Sequence, residues 1–353
     1  MISIIGAGPS GSYLAYLLAK GGKEVNVFEE HNEIGVPVQC TGLVTNTITK
    51  LIDIKDEFLV NKIENVEVIA PNGEKAFFKL KKSDFVFDRN KFDKYISEMA
   101  IREGVKYYVG KKFTGFKDNY VILNKNERFK TDFLVGADGP LSSVAKHFNM
   151  YKNRKFMLGL QARVKGKFKK DTFVVYLGKG YFGWNVPESS EFSRVGVIGV
   201  NKNSKKYFDD VLRKVNGEII EYQSGLIPVF QPKIKCQKNN VFLLGDAATQ
   251  AKGSTHGGIF QGMTAAKALS EAIIKGKNYD LLWRKELGKD LYFHLKIREK
   301  LDKFTDEDLN YLVKLTKKEK VKEILENYER DFASKIVIKA LLKEPRFLKF
   351  LFI

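Results

Sequence analysis

Close to its start the chain carries Ile2-Ser3-Ile4-Ile5-Gly6-Ala7-Gly8-Pro9-Ser10-Gly11. The apolar run Ile2 to Ile5 has the length of a buried strand, Leu14, Leu17 and Leu18 recur at helical spacing, and Val25 to Phe28 is a second strand. Together they make a βαβ unit with Gly6-x-Gly8-x-x-Gly11 at the strand-to-helix turn. Glycines there let the backbone approach a pyrophosphate at the positive end of the helix. Glu29, ending the next strand, is placed to accept from a ribose hydroxyl. NAD and FAD fit this fingerprint equally well.

Working outward, Glu64 to Leu80 read as a β-hairpin turning at Asn72-Gly73, and a helix follows Asp88 with Phe92, Tyr95, Ile96 and Met99 on one face. Strand Phe133 to Gly136 runs into the turn Gly136-Ala137-Asp138-Gly139. Segments Phe156 to Val164, Thr172 to Leu177 and Arg194 to Val200 are separated by Lys/Gly turns, which predicts an antiparallel sheet. Val241 to Leu244 and Gly245-Asp246-Ala247-Ala248 restore the first pattern, and a helix follows with Ile259, Met263, Ala266, Leu269 and Ile273 on one face. The expected organisation is a discontinuous dinucleotide-binding domain over 1–154 and 233–278. Residues 155–232 are an inserted β domain, joined by the hairpin 62–82, and 279–353 are a charge-rich helical segment.

The later turns separate the two cofactors. Asp246 can accept from a ribityl hydroxyl, and a helix amino terminus at Gly258 and Ile259 would stabilise negative charge on the N1/O2 side of a reduced isoalloxazine. Asp138 lies in a third turn of the same kind. These elements favour FAD.

Composition narrows the remaining classes. Of 353 residues, 61 are Lys or Arg and 42 are Asp or Glu, a net charge of +19, with 44% hydrophobic and 12% aromatic residues. This is a globular chain with length for two or three domains. A positive field suits nucleic acid, an anionic membrane or an anionic ligand. The lysines are scattered, and neither zinc-finger cysteines nor an RNP-like aromatic motif is present, so no nucleic-acid partner is expected; a lysine-rich surface of thermophile type accounts for the charge. Two cysteines, Cys40 and Cys236, make neither a disulfide framework nor a metal quartet, so no metal and a reducing, cytoplasmic setting are expected. Met1 to Ala19 lacks a basic start and carries glycines, unlike a signal peptide, and no other stretch has the apolar length of a membrane helix.

With these elements, several further segments resemble the FAD-dependent glutathione-reductase-like fold in its aromatic-hydroxylase branch, and more narrowly the geranylgeranyl reductase family. They are Pro37-Val38-Gln39-Cys40-Thr41-Gly42-Leu43, Asp88-Arg89-Asn90-Lys91-Phe92-Asp93, Gly183-Trp184-x-x-Pro187, Gly245 through Lys252 to Gly258-Ile259, and the tail from Trp283 to Leu309. The likeness covers most of the chain. It implies an α/β architecture: a glutathione-reductase-like FAD-binding Rossmann domain, an inserted antiparallel β-sheet substrate domain and a C-terminal helical segment. It also implies that the loop of Cys40 and Thr41 lies by the flavin. Arg89 and the backbone near Ser10 and Phe113 would contact FAD, and Asp246, Gly258 and Ile259 would complete the site. This chain departs from the family pattern in a shorter Cys40 loop, in Gly253 where Pro is usual, and in His256, which interrupts a Gly triplet.

The activity that the resemblance implies is saturation of isolated double bonds in geranylgeranyl chains, often on archaeal ether lipids, by hydride from flavin N5 plus a proton. Such an alkene is not electron-poor, so delivery depends on close positioning in a dry apolar slot. Phe156, Leu158, Leu160, Phe173, Val175, Tyr176 and Phe182 are candidates for that slot or for plain core. Gly183-Trp184-Asn185-Val186-Pro187 resembles the family's Tyr-x-Trp-x-Phe-Pro segment bordering the lipid cavity, with Phe182 and Val186 in the Tyr and Phe places. Cys40 and Trp184 are the candidate catalytic residues. A free thiol, with a reference pKa of about 8.5, is protonated near neutrality and can relay a proton; the other reading of Cys40 is a small residue packed under the flavin. Pairing of Cys40 with Cys236 would make a redox switch, and His256 reads as a loop residue before a proton donor.

With one fingerprint and no Cys-x-x-Cys, a disulfide reductase is disfavoured, and the electron donor is NAD(P)H or a small redox protein. The end from Phe332 to Ile353 interleaves Lys335, Lys339, Lys343, Arg346 and Lys349 with apolar residues. It suits peripheral contact with the inner face of a membrane, or packing on the protein itself. The alternative functions are a flavin monooxygenase or halogenase, the latter wanting another Trp where Phe182 stands, and a prenyl-binding carrier without flavin.

Overall fold

In the computed structural model, which describes residues 1–199 and 203–351, strands Ile2–Ile5, Val25–Phe28 and Phe133–Gly136 lie side by side with the bounds that their apolar runs predict. They are the centre of a six-stranded sheet ordered Gln237–Lys238, Val241–Leu243, Phe133–Gly136, Ile2–Ile5, Val25–Phe28, Lys106–Tyr108. All neighbours are parallel except the first pair. Burial along Ile2–Ile5, Val25–Phe28 and Val241–Leu243 is what a parallel sheet requires and explains why Ser3 and Asn26 alone interrupt their apolar residues. Helix Pro9–Lys20 follows the glycine turn. Ile259–Lys275 is the later helix, and a three-stranded antiparallel sheet over Phe113–Lys117, Tyr120–Leu123 and Glu127–Lys130 completes the unit. This first unit comprises Met1–Val38, Arg89–Lys155 and Pro228–Tyr292.

The second unit comprises Gln39–Asp88, Phe156–Ile227 and the chain from Phe293 onward. Residues 39–61 and 83–88 thus accompany the hairpin, and the helical segment expected as one piece over 279–353 divides after Tyr292. The unit is built on an eight-stranded sheet ordered Glu218–Pro228, Phe156–Lys165, Phe192–Gly199, Tyr181–Pro187, Thr172–Gly178, Leu59–Ile69, Lys75–Phe87, Leu43–Val44. The sheet is not wholly antiparallel as expected, because Thr172–Gly178 runs parallel to Leu59–Ile69. Parallel neighbours need a long crossover, and here the whole of Arg89–Lys155 is threaded through the first unit before the chain returns. Val200, the expected end of one strand, and Phe352 and Ile353, the end of the amphipathic tail, lie outside the described residues.

Alternation along these strands sorts the apolar residues onto two faces. Helix Ser204–Val215 packs Phe208 and Val211 on Ala162, Val164, Tyr176, Val195 and Val197, with Leu160 at the margin. The other face carries Val66, Phe78, Phe173 and Val186 with Val313, and Val175, Trp184 and Leu325 at its edge. The proposed apolar slot is corrected accordingly: Leu160 and Tyr176 are core under the helix and cannot line a slot with Phe173 and Val175. In the tail, Phe350 stacks on Phe304 at 4.9 Å between ring centroids. Among the described residues no helix is long and apolar enough to cross a membrane.

Candidate functional site

The glycine fingerprint is fixed by steric contact. Gly6 has φ +103°, and a Cβ there would fall 2.3 Å from the Ala137 carbonyl oxygen, while one on Gly11 would fall 2.2 Å from that of Gly6. The two glycines therefore let the turn, the following helix and the Ala137-Asp138 turn close on each other. Gly8 differs, since a Cβ there meets no atom within 4 Å. It caps helix Pro9–Lys20 without a side-chain hydrogen bond, and the first turn holds no acidic residue. Open space, unfilled backbone donors and the positive end of the helix macrodipole together fit a phosphate.

Glu29 reaches back to this turn. Its Oε2 accepts from the Ala7 N–H at 2.9 Å, and Oε1 accepts from the His31 N–H at 3.0 Å and faces His31 Nδ1 at 2.6 Å. A carboxylate has about four acceptor positions, so one remains on Oε2 for a ribose hydroxyl. Ser10 packs into the same corner: a Cβ on Gly245 or Gly262 would come within 2.8 Å or 2.0 Å of its Oγ. The small residues bring the first helix, the Gly245 turn and helix Ile259–Lys275 together across more than two hundred residues of sequence.

Asp246 stands in that turn next to Gly258, where a Cβ would come within 3.1 Å of its Oδ1. Among the described residues no protein donor makes a hydrogen bond to its carboxylate. Loss of surrounding water pushes it up to about 6, opposed by the charges of Arg89 and Arg154. A partly buried acceptor without protein donors among the described residues fits a ligand hydroxyl. Beside it, Gly258 caps Ile259–Lys275 with no side-chain bond and no acidic residue in the first turn, a second place suited to negative charge.

Arg89 begins helix Arg89–Arg102 and is held by Asp93 through Nε at 3.1 Å and Nη2 at 2.9 Å. Arg154, not anticipated from sequence, donates Nη2 to the Ala247 carbonyl at 2.6 Å and Nη1 to that of Pro140 at 3.1 Å, with its guanidinium 4.2 Å from the Tyr151 ring. It ties the Asp246 turn to the Asp138 turn. Asp138 accepts from Ser142 Oγ at 2.6 Å and Val144 N at 3.0 Å and so anchors helix Ser143–His147. Burial holds its carboxyl above the usual range. Phe113 buries its side chain edge-on against His147 at 5.8 Å.

Cys40, Thr41 and Trp184 belong to the second unit. Gly42 donates its N–H to Cys40 Sγ at 3.3 Å. The loop is pinned at Thr41, whose carbonyl, like that of Phe87, accepts from Arg194 Nη1, at 2.6 and 2.8 Å. Arg194 is in turn held by Glu188, which also pairs with Arg163. The Thr41 hydroxyl donates to Gln161 Oε1 at 2.6 Å, and the Trp184 indole N–H donates to the same oxygen at 3.0 Å. Arg194 and Gln161 were missed because they read as the polar side of amphipathic strands. Cys236 is a fully buried free thiol of the first unit, its ionisation pushed up by burial, and Cys40 is likewise free. His256 sits in the loop before Gly258 with φ +56°. Among the described residues no cluster of His, Cys, Asp and Glu could hold a metal.

Comparison with known proteins agrees with this architecture. A family of NAD(P)-binding Rossmann-like domains matches residues 4–41. The digeranylgeranylglycerophospholipid reductase of Methanococcus vannielii is 29% identical over 99% of this chain and 96% of its own length. Relatives of the same name in Methanococcoides burtonii and Methanosphaera stadtmanae are each 28% identical over 88% of this chain, covering 85% and 88% of their own lengths. Among solved structures, a geranylgeranyl bacteriochlorophyll reductase-like protein from Thermoplasma acidophilum superposes with TM-score 0.85 at 22% identity, over 99% of this chain and 98% of that one.

Proposed function

We propose that this chain, a homologue of the digeranylgeranylglycerophospholipid reductases, is an FAD-dependent reductase that saturates isolated double bonds of geranylgeranyl chains, as carried by archaeal-type ether phospholipids. The observation that carries the cofactor assignment is the Asp246 carboxylate, which has no protein donor among the described residues and lies beside the Gly258 helix terminus, itself without a capping side chain. When bound, FAD would supply hydride from its N5 position. Gly6, Gly8, Ser10 and Gly11 would hold the pyrophosphate and Glu29 the ribose. Asp246 would hold the ribityl chain, Gly258 and Ile259 the pyrimidine edge, and Arg89 and the Phe113 backbone the remaining polar atoms. Trp184, with the partly buried Val175 beside it, is assigned to the prenyl chain, whose reactive bond must be held dry and close. Cys40 is assigned the proton.

With a single fingerprint in the sequence, the reductant is NAD(P)H binding transiently or a small redox protein. The test is anaerobic. Reduced by dithionite, freed of excess and mixed with a digeranylgeranylglyceryl lipid, the bound flavin should recover its oxidised absorbance. Persistence of the reduced spectrum, with oxygen consumption dependent on an aromatic substrate, would instead favour the monooxygenase or halogenase reading, whose fold is shared by the brominase Bmp2.

The C-terminal helix Ala333–Lys343 is assigned to the lipid surface. Ile338 is 43% and Leu342 75% exposed, and they lie along one side with the exposed Lys335, Lys339 and Lys343, the pattern of an interfacial helix. Truncation before Phe332 would remove Phe350 from its stack on Phe304, so point changes are the cleaner test. Leu342→Glu with Lys343→Glu should lower flotation with anionic liposomes about tenfold at unchanged melting temperature; equal flotation would reject membrane contact.

A further inference from the structure

We propose that Gln161 is a positioning residue, whose one amide oxygen sets the orientations of the Cys40-Thr41 loop and of Trp184 together. The inference rests on the proposed reductase function for its consequence, but its geometry lies wholly within the second unit. Gln161, Gly196 and Trp184 stand in one row across three adjacent strands. A Cβ on Gly196 would fall 2.4 Å from Trp184 Cζ2, so only glycine lets the indole lie across the middle strand to reach Gln161. Thr41 arrives at the same oxygen from 120 residues away in sequence.

The chemistry leaves the amide one orientation. An indole N–H only donates, so the oxygen of Gln161 must face it. Its nitrogen then donates to Gln223 Oε1 at 2.7 Å, and Gln223 donates to Glu221 at 3.2 Å. Donation therefore runs outward from Thr41 and Trp184 through Gln161 and Gln223 to a surface carboxylate. Gln161 is 5% exposed, and its part-buried hydrogen bonds to Thr41, Trp184 and Gln223 restrict the amide to this arrangement. The loop that carries the residue assigned to the proton and the residue assigned to the prenyl chain thus share one acceptor, in addition to the Arg194 contact at the Thr41 carbonyl.

The experiment uses the full-length protein labelled with fluorotryptophan, whose two tryptophans give two resonances, with Trp184→Phe assigning the signal of position 184. Cys40 is the thiol to follow by alkylation, because Cys236 has no exposed surface. Gln161→Leu should speed alkylation of Cys40 and lower the rate of flavin reoxidation by prenyl lipid at saturating substrate, each about tenfold. It should also move the Trp184 resonance while KM changes less than threefold. Gln161→Glu keeps an oxygen that accepts from both donors and should restore all three readouts to near the wild-type values. A merely structural role would be rescued by neither charge nor polarity and would move melting temperature instead. Wild-type values in Gln161→Leu, or failure of Gln161→Glu to differ from it, would overturn the proposal. Should Gln161→Leu not fold, Thr41→Val and Trp184→Phe each delete one donor to the same oxygen. Thr41→Val must then move the Trp184 resonance, Trp184→Phe must speed Cys40 alkylation, and wild-type values in either would overturn the proposal. If the wild-type protein does not reduce a prenyl lipid, the reductase reading fails, while alkylation and resonance still decide the role of Gln161.

Discussion

Gly11→Ala is expected to yield protein purified without flavin and destabilised by about 2 kcal/mol or more, the usual cost of forcing a methyl into a closed contact. The added carbon would sit 2.2 Å from the Gly6 carbonyl oxygen. Gly6 cannot yield, because it is itself pressed on Ala137, so the helix must move at the end that presents its phosphate donors. Gly8→Ala makes the comparison informative. A methyl at Gly8 meets no protein atom within 4 Å, so that variant should melt with the wild type while losing flavin affinity about tenfold or more through occupation of the phosphate's space. Flavin absorbance per protein and thermal unfolding measure both. Gly8→Ala retaining full flavin affinity would place the pyrophosphate elsewhere.

Asp246→Asn should trade binding against stability. With its ionisation at about 6 rather than the ordinary 3.8, the folded apoprotein holds this proton more tightly than the unfolded chain does. The stability this provides is full below about pH 4 and is lost as pH rises through 6. Above that, the buried charge costs roughly 3 kcal/mol. The Asn variant escapes the cost, so its stability advantage over wild-type apoprotein should be near zero at pH 4 and largest above pH 7. Its flavin affinity should fall at least tenfold, because the carboxylate acceptor is lost. Denaturant midpoints at several pH values, beside flavin titration at pH 7.5, check both. An advantage that does not grow with pH would contradict the assigned burial of this charge. Residues that bind at the expense of folding are expected where a ligand completes their hydrogen bonding.

The parallel core was legible in the sequence because burial on both faces leaves nearly continuous apolar runs, as in Phe133–Gly136 and, with only Ser3 between, Ile2–Ile5. The glycine turns were legible because backbone contact admits no other residue. Less was readable in the second unit. Alternation identified Phe156–Lys165 and Thr172–Gly178 as strands, yet not the parallel partner of the latter. Strand Glu218–Pro228 escaped notice because its apolar residues, Ile219, Ile220, Tyr222 and Leu226, do not alternate and its edge position leaves it mostly exposed. Asp138 shares a turn pattern with Asp246, but its oxygens also accept from Ser142 and Val144, a difference decided by the residues that follow it. Gln161 and Arg194 act on a loop more than a hundred residues away, and no local period carries that information.

The threading of the chain has a consequence for its synthesis. Strand Val241–Leu243, the neighbour of Phe133–Gly136, emerges about a hundred residues after it, with much of the second unit made in between. Throughout that interval the nascent polypeptide carries an unpaired, fully apolar strand edge in its most central sheet, a template for association with other chains. Ribosomal pausing or truncation within 137–240 would therefore leave a fragment that aggregates rather than a smaller working protein, and neither unit can be expressed as one continuous stretch of the gene.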